Sequence, residues 1–142
     1  MSSLADVAFR TAYRKGHHDI ANDFYLPAMR LSVEYDRAVG YFRSAAFVIA
    51  WPALRDFVGR GGRIRILCSQ VLSAADVDAL DAGFAAKVDD GLAARLRNEV
   101  QTMLEDEALA APTRVLAALV GTGVLEFKVA VLRARPGAPA TR

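Results

Sequence analysis

The stretch from residue 35 to residue 70 limits the fold more than any other part of this chain. Residues 36–42 form a predicted strand, and residues 63–69 (RIRILCS) are rich in β-branched and apolar side chains, as in a half-buried strand. The helix between them is predicted to end at Arg60-Gly61-Gly62, where glycine can adopt the left-handed conformation that closes a helix. A strand, a crossover helix and a parallel strand make a βαβ unit, whose crossover is almost always right-handed. The sequence therefore predicts an α/β fold.

Several positions in this unit carry further local predictions. Gly40 lies inside the first strand, where glycine usually marks a bulge or the close approach of another backbone or a ligand. Ser44 is the predicted N-cap of the helix, since its hydroxyl can accept from an otherwise unpaired backbone N–H. Pro52 predicts a kink, because it removes one helical hydrogen bond. The predicted core stripe of the helix consists of Phe47, Trp51, Leu54 and Val58.

A third strand is predicted from Val124 to Leu132. Its alternation places Leu125, Phe127, Val129 and Val131 on one face and Glu126 and Lys128 on the other. If no further strand pairs beside it, its backbone forms an exposed edge that invites association. We therefore expect either a homodimer through this strand or a partner that covers it. Residues 1–132 form the predicted domain, and residues 133–142, with two prolines and a glycine, form a predicted disordered tail.

Five further helices are predicted from apolar spacing and capping residues. They cover residues 4–15, residues 19–34 with a break or restart at Pro27, a helix that follows Ser73, residues 92–110, and a helix that Pro112 opens. Ser73 is the predicted N-cap of its helix, and Asp76 follows three residues later, close to a capping-box pattern. The predicted core side of that helix consists of Val77, Leu80, Phe84 and Val88.

Composition limits the class of protein. With 142 residues, of which 54% are hydrophobic, the chain can fold as one domain with its own core. No apolar run reaches the roughly 18–20 residues that a membrane span needs, and the N-terminal residues lack the apolar core of a signal peptide. Cys68 is the single cysteine, which excludes a disulfide framework. These features predict a cytoplasmic protein without membrane contact. The net charge of +2 is too small to indicate nucleic-acid binding by itself.

Candidate chemistry lies beyond the carboxyl ends of the first two strands, where open α/β sheets bind ligands. Tyr41, Arg43 and Ser44 follow the first strand, at a helix N-terminus whose free N–H groups and dipole favour an anion such as phosphate. The alternative is that Ser44 only caps its helix and that Arg43 is solvated. Cys68, Ser69 and Gln70 follow the second strand, and with the first group they would form one wall of the expected cleft.

Two other reactive groups have simpler interpretations. Cys68 could act as a nucleophile, but no histidine is evidently placed to activate it, and a cysteine that closes an apolar strand is usually a core residue. His17 and His18 are neighbours, and adjacent side chains on a helix diverge, so they do not indicate a metal site. Neither a metal nor a cofactor is predicted.

The residues around the βαβ unit resemble a known family. FYLPAMRLSVEYDRAVGYFRSAAF (residues 24–47) and LRDFVGRGGRIRILCSQVLSAADVDAL (residues 54–80) are similar to the start of the phospholipase D-like domain of bacterial proteins. These proteins include helicases of phage-defence systems, such as the DISARM type, and related restriction nucleases. The resemblance implies a mixed, mostly parallel sheet between helices. It also implies phosphodiester hydrolysis through a covalent phosphohistidine, without a metal or another cofactor.

One departure from the family pattern decides what can be transferred. The catalytic histidine and lysine of the family lie in an H-x-K motif, on the strand after the one that matches residues 124–132. Neither His17 nor His18 begins such a motif, and the 142 residues do not include that strand. No catalytic residue can therefore be assigned by resemblance.

The expected protein is the N-terminal part of a phospholipase D-like domain, inactive alone. Its parent would be a nucleic-acid hydrolase or helicase-associated module that contacts DNA, and its partners would be a helicase or the remaining part of the domain. The alternative is a complete, non-catalytic α/β module that binds a protein partner or an anion.

Overall fold

Three parallel strands form the sheet of this protein, which confirms the predicted α/β class. The structure, a computed structural model, describes residues 3–71, 73–92, 94, 95, 98 and 111–131, and at residues 48, 49 and 51 it describes the backbone alone. The strands are β1 (Glu34–Phe42), β2 (Arg63–Val71) and β3 (Leu125–Val129), in the order β1-β2-β3. Within the described residues the sheet is entirely parallel. The helices are α1 (Leu26–Leu31), α2 (Ala46–Gly59), α3 (Ala74–Lys87) and α4 (Pro112–Gly121).

The predicted helix stop between α2 and β2 is confirmed. Arg60 is the C-cap of α2, and Gly61 follows it with a φ of +80°. The N–H of Gly61 donates to the carbonyl of Val58 at 3.0 Å, and that of Gly62 donates to the carbonyl of Phe57 at 2.9 Å. This pair of bonds is a Schellman motif, which satisfies two of the last helical carbonyls. A Cβ at Gly62 would lie 2.5 Å from the Phe57 carbonyl oxygen, so only glycine fits there without a shift.

The described helices cover one face of the sheet. Ile64 and Ile66 of β2 are buried, together with Leu125 and Phe127 of β3, against apolar side chains of all four helices. The intervening residues of these strands are exposed, as alternation in a strand requires. The exposed face carries Glu34, Asp36, Ala38, Arg63, Arg65, Leu67, Ser69, Glu126 and Lys128. In the described part of the chain the sheet therefore has one buried face and one polar face.

Gly40 marks no bulge. The pairing of β1 with β2 keeps the same offset on both sides of it, with Val39 opposite Cys68 and Tyr41 opposite Gln70. A Cβ at Gly40 would meet no atom within 4 Å, so nothing in the described structure approaches it closely. The burial pattern does change here, because Tyr41 is 67% exposed and Phe42 only 3%. The ring of Phe42 packs edge-on against Phe127, with 5.0 Å between centroids.

The predicted helix over residues 4–15 is wrong. Only a 3-10 turn at Leu4–Asp6 forms, and residues 7–15 are not helical. Two aromatic rings of this segment lie near Phe24, with Phe9 at 5.6 Å and Tyr13 at 5.3 Å between centroids. Aromatic contacts made from an extended segment thus replace the helical stripe. The helix predicted over residues 19–34 forms but ends at Leu31, and it continues through Pro27 without a break. A π-helical turn (Ala21–Tyr25) changes to α1 just before Pro27, which lies in the first turn of α1, where proline is tolerated.

The predicted core side of α3 is largely wrong. Its buried residues are Asp76, Ala79, Leu80, Gly83 and Ala86, whereas Val77, Phe84 and Val88 are 42%, 44% and 87% exposed. The physical reason is a close helix–helix contact. A Cβ at Gly83 would lie 2.8 Å from the carbonyl oxygen of Ala117 in α4, so α3 presents its small residues to α4. Val77 and Phe84 consequently lie on other sides of the helix.

The predicted apolar stripe of α2 is confirmed at Phe47, Leu54 and Val58, while the side chain of Trp51 lies outside the described part.

Strand β3 is shorter than predicted, and Val129 and Val131 are 50% and 75% exposed rather than covered. Most of the helix predicted over residues 92–110, and the tail at 133–142, lie outside the described residues. None of the described helices combines the length and apolar character needed to cross a lipid bilayer.

Candidate functional site

The structure brings the predicted site residues to one end of the sheet. Tyr41 of β1 pairs with Gln70 of β2. Two residues earlier in each strand, Val39 pairs with Cys68. Tyr41, Arg43, Ser69 and Gln70 are exposed, whereas Ser44 and Cys68 are 4% and 1% exposed. The carboxyl ends of β1 and β2 thus form a polar surface, as expected for adjacent parallel strands.

Ser44 has a different role from the predicted helix cap. Its hydroxyl donates to Asp76 Oδ1 at 2.5 Å, and its backbone N–H donates to Asp76 Oδ2 at 2.9 Å. The N-cap of α2 is Ala45, which has no side-chain cap. The carbonyl of Ser44 accepts from the N–H of Phe47 at 2.9 Å, so the Ser44 backbone still contributes to the first turn. The side chain is therefore directed to another helix rather than to its own.

Asp76 is the residue that sequence reasoning missed. Ser73 is the N-cap of α3, as predicted, and its hydroxyl accepts from the N–H of Asp76 at 3.4 Å. A complete capping box would return the Asp76 carboxylate to the N–H of Ser73. That carboxylate instead spans 32 positions in sequence to reach Ser44, and Asp76 is only 2% exposed. The sequence contains no signal for this pairing, since both residues have adequate local roles as caps.

This pair bears directly on the predicted anion site. Free N–H groups at this helix start were expected to bind phosphate, but the N–H of Ser44 and its hydroxyl both donate to a carboxylate of the same chain. A phosphate at this position would have to displace the carboxylate and bind close to its negative charge. Arg43 is exposed beside the pair. Phosphate binding by Tyr41, Arg43 and Ser44 stays a prediction, in which Arg43 would supply the positive charge.

Cys68 has the properties of a core residue. It lies among the buried side chains of the sheet, and burial raises the pKa of its thiol. A raised pKa disfavours the thiolate, which is the nucleophilic form of cysteine. His17 and His18 are distant from Cys68 in the sequence. The Nδ1 atom of His18 accepts a hydrogen bond from the N–H of Arg14 at 2.9 Å. Among the described residues, no group of three or more His, Cys, Asp and Glu could hold a metal ion.

Two ion pairs form between side chains on the exposed face of the sheet. The guanidinium of Arg65 binds both carboxylate oxygens of Asp36, with its Nε 2.7 Å from Oδ1. Lys128 lies 3.1 Å from Glu126. The hydrogen bond from Arg65 lowers the pKa of Asp36, and the hydrogen bond from Lys128 lowers the pKa of Glu126. Arg65 and Lys128 are thus already paired with carboxylates of this face, which weakens their attraction for a phosphate backbone.

We compared the chain with models of protein families, with curated proteins and with solved structures, and no match was found in any of the three comparisons.

Proposed function

We propose that this chain is the N-terminal part of a phospholipase D-like domain, and that it supplies scaffold but no catalytic group. Its parent protein would hydrolyse or bind nucleic-acid backbones, together with a helicase, in defence against phage. The observation that supports the proposal is the βαβ unit of β1, α2 and β2, whose sequence carries the resemblance. Tyr41 and Gln70 pair at the carboxyl ends of β1 and β2, where the resemblance would place the outer wall of such a site.

The proposal predicts that the chain alone hydrolyses no phosphodiester. Covalent catalysis needs a nucleophile together with a proton-transfer partner, and the 142 residues contain no H-x-K motif. The purified chain should be incubated with single- and double-stranded DNA, with RNA and with bis(p-nitrophenyl) phosphate. We expect no product. Hydrolysis that a single substitution in this chain abolishes would overturn the proposal.

Arg43 provides a separate test of the anion site. We expect weak oligonucleotide binding that falls steeply with salt, because neutralised phosphates release counterions. Arg43→Ala should weaken this binding and leave the melting temperature unchanged, since Arg43 is exposed. Arg55→Ala removes the same charge from an exposed position of α2 and should bind like the unaltered chain. Equal binding by both variants would remove Arg43 from the site.

A second candidate function is a non-catalytic module that binds a protein partner. The free edge of β1 favours it, because within the described residues β1 pairs only with β2. An unpaired strand edge is a ready site for another extended chain.

A further inference from the structure

A groove follows the outer edge of β1. It has a volume of about 510 Å³ and is lined on one side by residues 34–39 and on the other by Phe24, Tyr25, Met29 and Ser32. Consecutive strand residues point to opposite faces of a sheet. A surface lined by all residues from 34 to 39 and by none of β2 must therefore lie along the strand edge. The opposite wall is the π-helical turn and α1.

The wall formed by α1 is fixed by Arg60. Its guanidinium donates to the carbonyl of Met29 at 2.8 Å and to that of Ser32 at 2.9 Å, both at the C-terminal end of α1. Hydrogen bonds from a charged donor are among the stronger ones. Since Arg60 is the C-cap of α2, it connects the two helices and keeps the end of α1 in place beside β1.

Within the described part of the chain no strand pairs with the outer edge of β1, which faces the groove. The carbonyl of Val33 accepts from the N–H of Arg63 in β2. Along a strand the N–H and C=O groups of successive residues alternate between its two sides. The backbone groups of Glu34, Asp36 and Ala38 consequently point away from β2 and into the groove. A partner that satisfies them must itself present an extended backbone.

A small apolar cavity opens next to the groove. It has a volume of about 120 Å³, and Tyr25, Met29, Tyr35 and Arg37 line both the cavity and the groove. The rest of its wall is apolar and includes Phe47 and Leu54. A cavity of about 150 Å³ with apolar walls holds a benzene molecule, so this one matches a leucine-sized side chain.

Arg37 lies at the junction of the cavity and the groove. Among the described residues no carboxylate lies within 4.0 Å of its guanidinium, unlike that of Arg65. Burial raises the pKa of Tyr35, and the partly buried guanidinium of Arg37 opposes this rise through its charge and a hydrogen bond to Tyr35, so its neighbour in the described structure is a neutral hydroxyl. A partly buried guanidinium without a carboxylate partner favours an anionic group from outside, which it can bind through two parallel hydrogen bonds.

We propose that the groove binds an extended peptide segment of a partner protein as an additional strand beside β1. One large aliphatic side chain of the peptide enters the cavity, and an aspartate or glutamate two residues away binds Arg37. The spacing follows from strand geometry, because side chains two positions apart point to the same face. The inference does not depend on the phospholipase D-like proposal, since it uses neither its site residues nor the family resemblance; it gives the second candidate function a specific ligand.

The test uses the full chain and labelled, capped peptides of alternating threonine and valine. Each peptide carries leucine and glutamate two positions apart, in one order or the other, because the direction of the added strand is not fixed. Fluorescence polarisation measures binding, and hydrogen exchange locates it. We expect one order to bind, and the amides of Glu34, Asp36 and Ala38 to become protected. Methylation of alternate peptide nitrogens should abolish binding, because an added strand must donate to β1.

A charge reversal isolates Arg37. Arg37→Glu should weaken binding of the glutamate peptide by at least about tenfold, because two negative charges then face each other. The same variant should bind a peptide with lysine in that place more tightly than the glutamate peptide, because the charges are then opposite. Arg55→Glu makes the same change on the exposed side of α2 and should leave both affinities unchanged.

The proposal is overturned if neither order binds at millimolar peptide, or if the charge reversal leaves the preference unchanged. Protection of these amides without peptide, together with self-association or contact with residues 132–142, would also overturn it. The edge would then be occupied by this protein itself.

Discussion

The buried hydroxyl of Ser44 donates to the carboxylate of Asp76 at 2.5 Å and joins the start of α2 to the first turn of α3. The N–H of Ser44 donates to the second carboxylate oxygen, so each oxygen has a donor although Asp76 is only 2% exposed. A buried carboxylate is tolerated only when it is paired in this way. The pair therefore fixes the two helices relative to each other at the carboxyl end of the sheet.

Removal of Asp76 should destabilise the fold strongly. Asp76→Ala leaves the hydroxyl and N–H of Ser44 buried without an acceptor, which should lower the free energy of unfolding by about 3 kcal/mol. Ser44→Ala removes one donor and keeps the other, so its cost should be about 1–2 kcal/mol. Urea unfolding followed by circular dichroism measures both.

Asp78→Ala is the matched control, since Asp78 is exposed on the same helix and should change stability by less than about 0.5 kcal/mol. A cost for Asp76→Ala no larger than that of the control would contradict the assigned role of the Ser44–Asp76 pair.

The contact of α3 with α4 is too close for one added methyl group, which should lower the stability of the fold. Gly83→Ala places a Cβ 2.8 Å from the Ala117 carbonyl oxygen and 2.8 Å from the Val120 Cβ, so the helices must separate, at a cost of about 1–3 kcal/mol. Gly59→Ala, where a Cβ meets nothing within 4 Å, should instead stabilise by up to about 1 kcal/mol. Thermal unfolding of the two variants should shift in opposite directions. Equal shifts would show that the close contact does not form.

The Asp36–Arg65 pair predicts a small pH dependence of the stability of the fold. The hydrogen bond from Arg65 lowers the pKa of Asp36 in the folded state below its ordinary value. Its contribution to stability is therefore present above the pKa of the unfolded chain and is lost as the pH falls through the folded pKa. Because both side chains are exposed, the contribution is small and screened by salt. An NMR titration of Asp36 should show its pKa rise in Arg65→Gln, and an unchanged pKa would refute the pairing.

The outer edge of β3 should promote association. Within the described residues β3 pairs only with β2. Val129 at the end of β3 and Val131 just after it are exposed. We expect the isolated chain to dimerise or aggregate through residues 124–132, or to require a partner that pairs there. Light scattering and hydrogen exchange test this together. A monomer at high concentration, with the amides of residues 124–132 strongly protected, would contradict it.

The parts of the fold that follow from local rules could be predicted from the sequence. The stop at Gly61, the cap at Ser73 and the strand predicted over residues 63–69, which forms as Arg63–Val71, each depend on backbone geometry or alternation within a few residues. Their physical causes act over short sequence distances. The sequence was therefore sufficient for the order of strands and helix in the βαβ unit, but not for the local roles of Gly40 and Ser44 within it.

The contacts between distant elements could not be predicted in this way. The apolar spacing of Val77, Phe84 and Val88 indicates a core stripe, but close approach of α4 at Gly83 makes the small residues the buried ones. Asp76 has a satisfactory local role as a capping residue, and only the tertiary fold shows its bond to Ser44. Periodicity reports which residues are apolar, not which neighbour comes closest.

The most direct test of the proposed function is to read the coding DNA beyond codon 142. We predict a frame that continues into another strand and encodes an H-x-K-x-x-x-x-D motif, which would supply the missing nucleophile and its proton-transfer partner. A genuine stop after Arg142, followed by an intact neighbouring gene, would contradict the account and would favour the non-catalytic binding module.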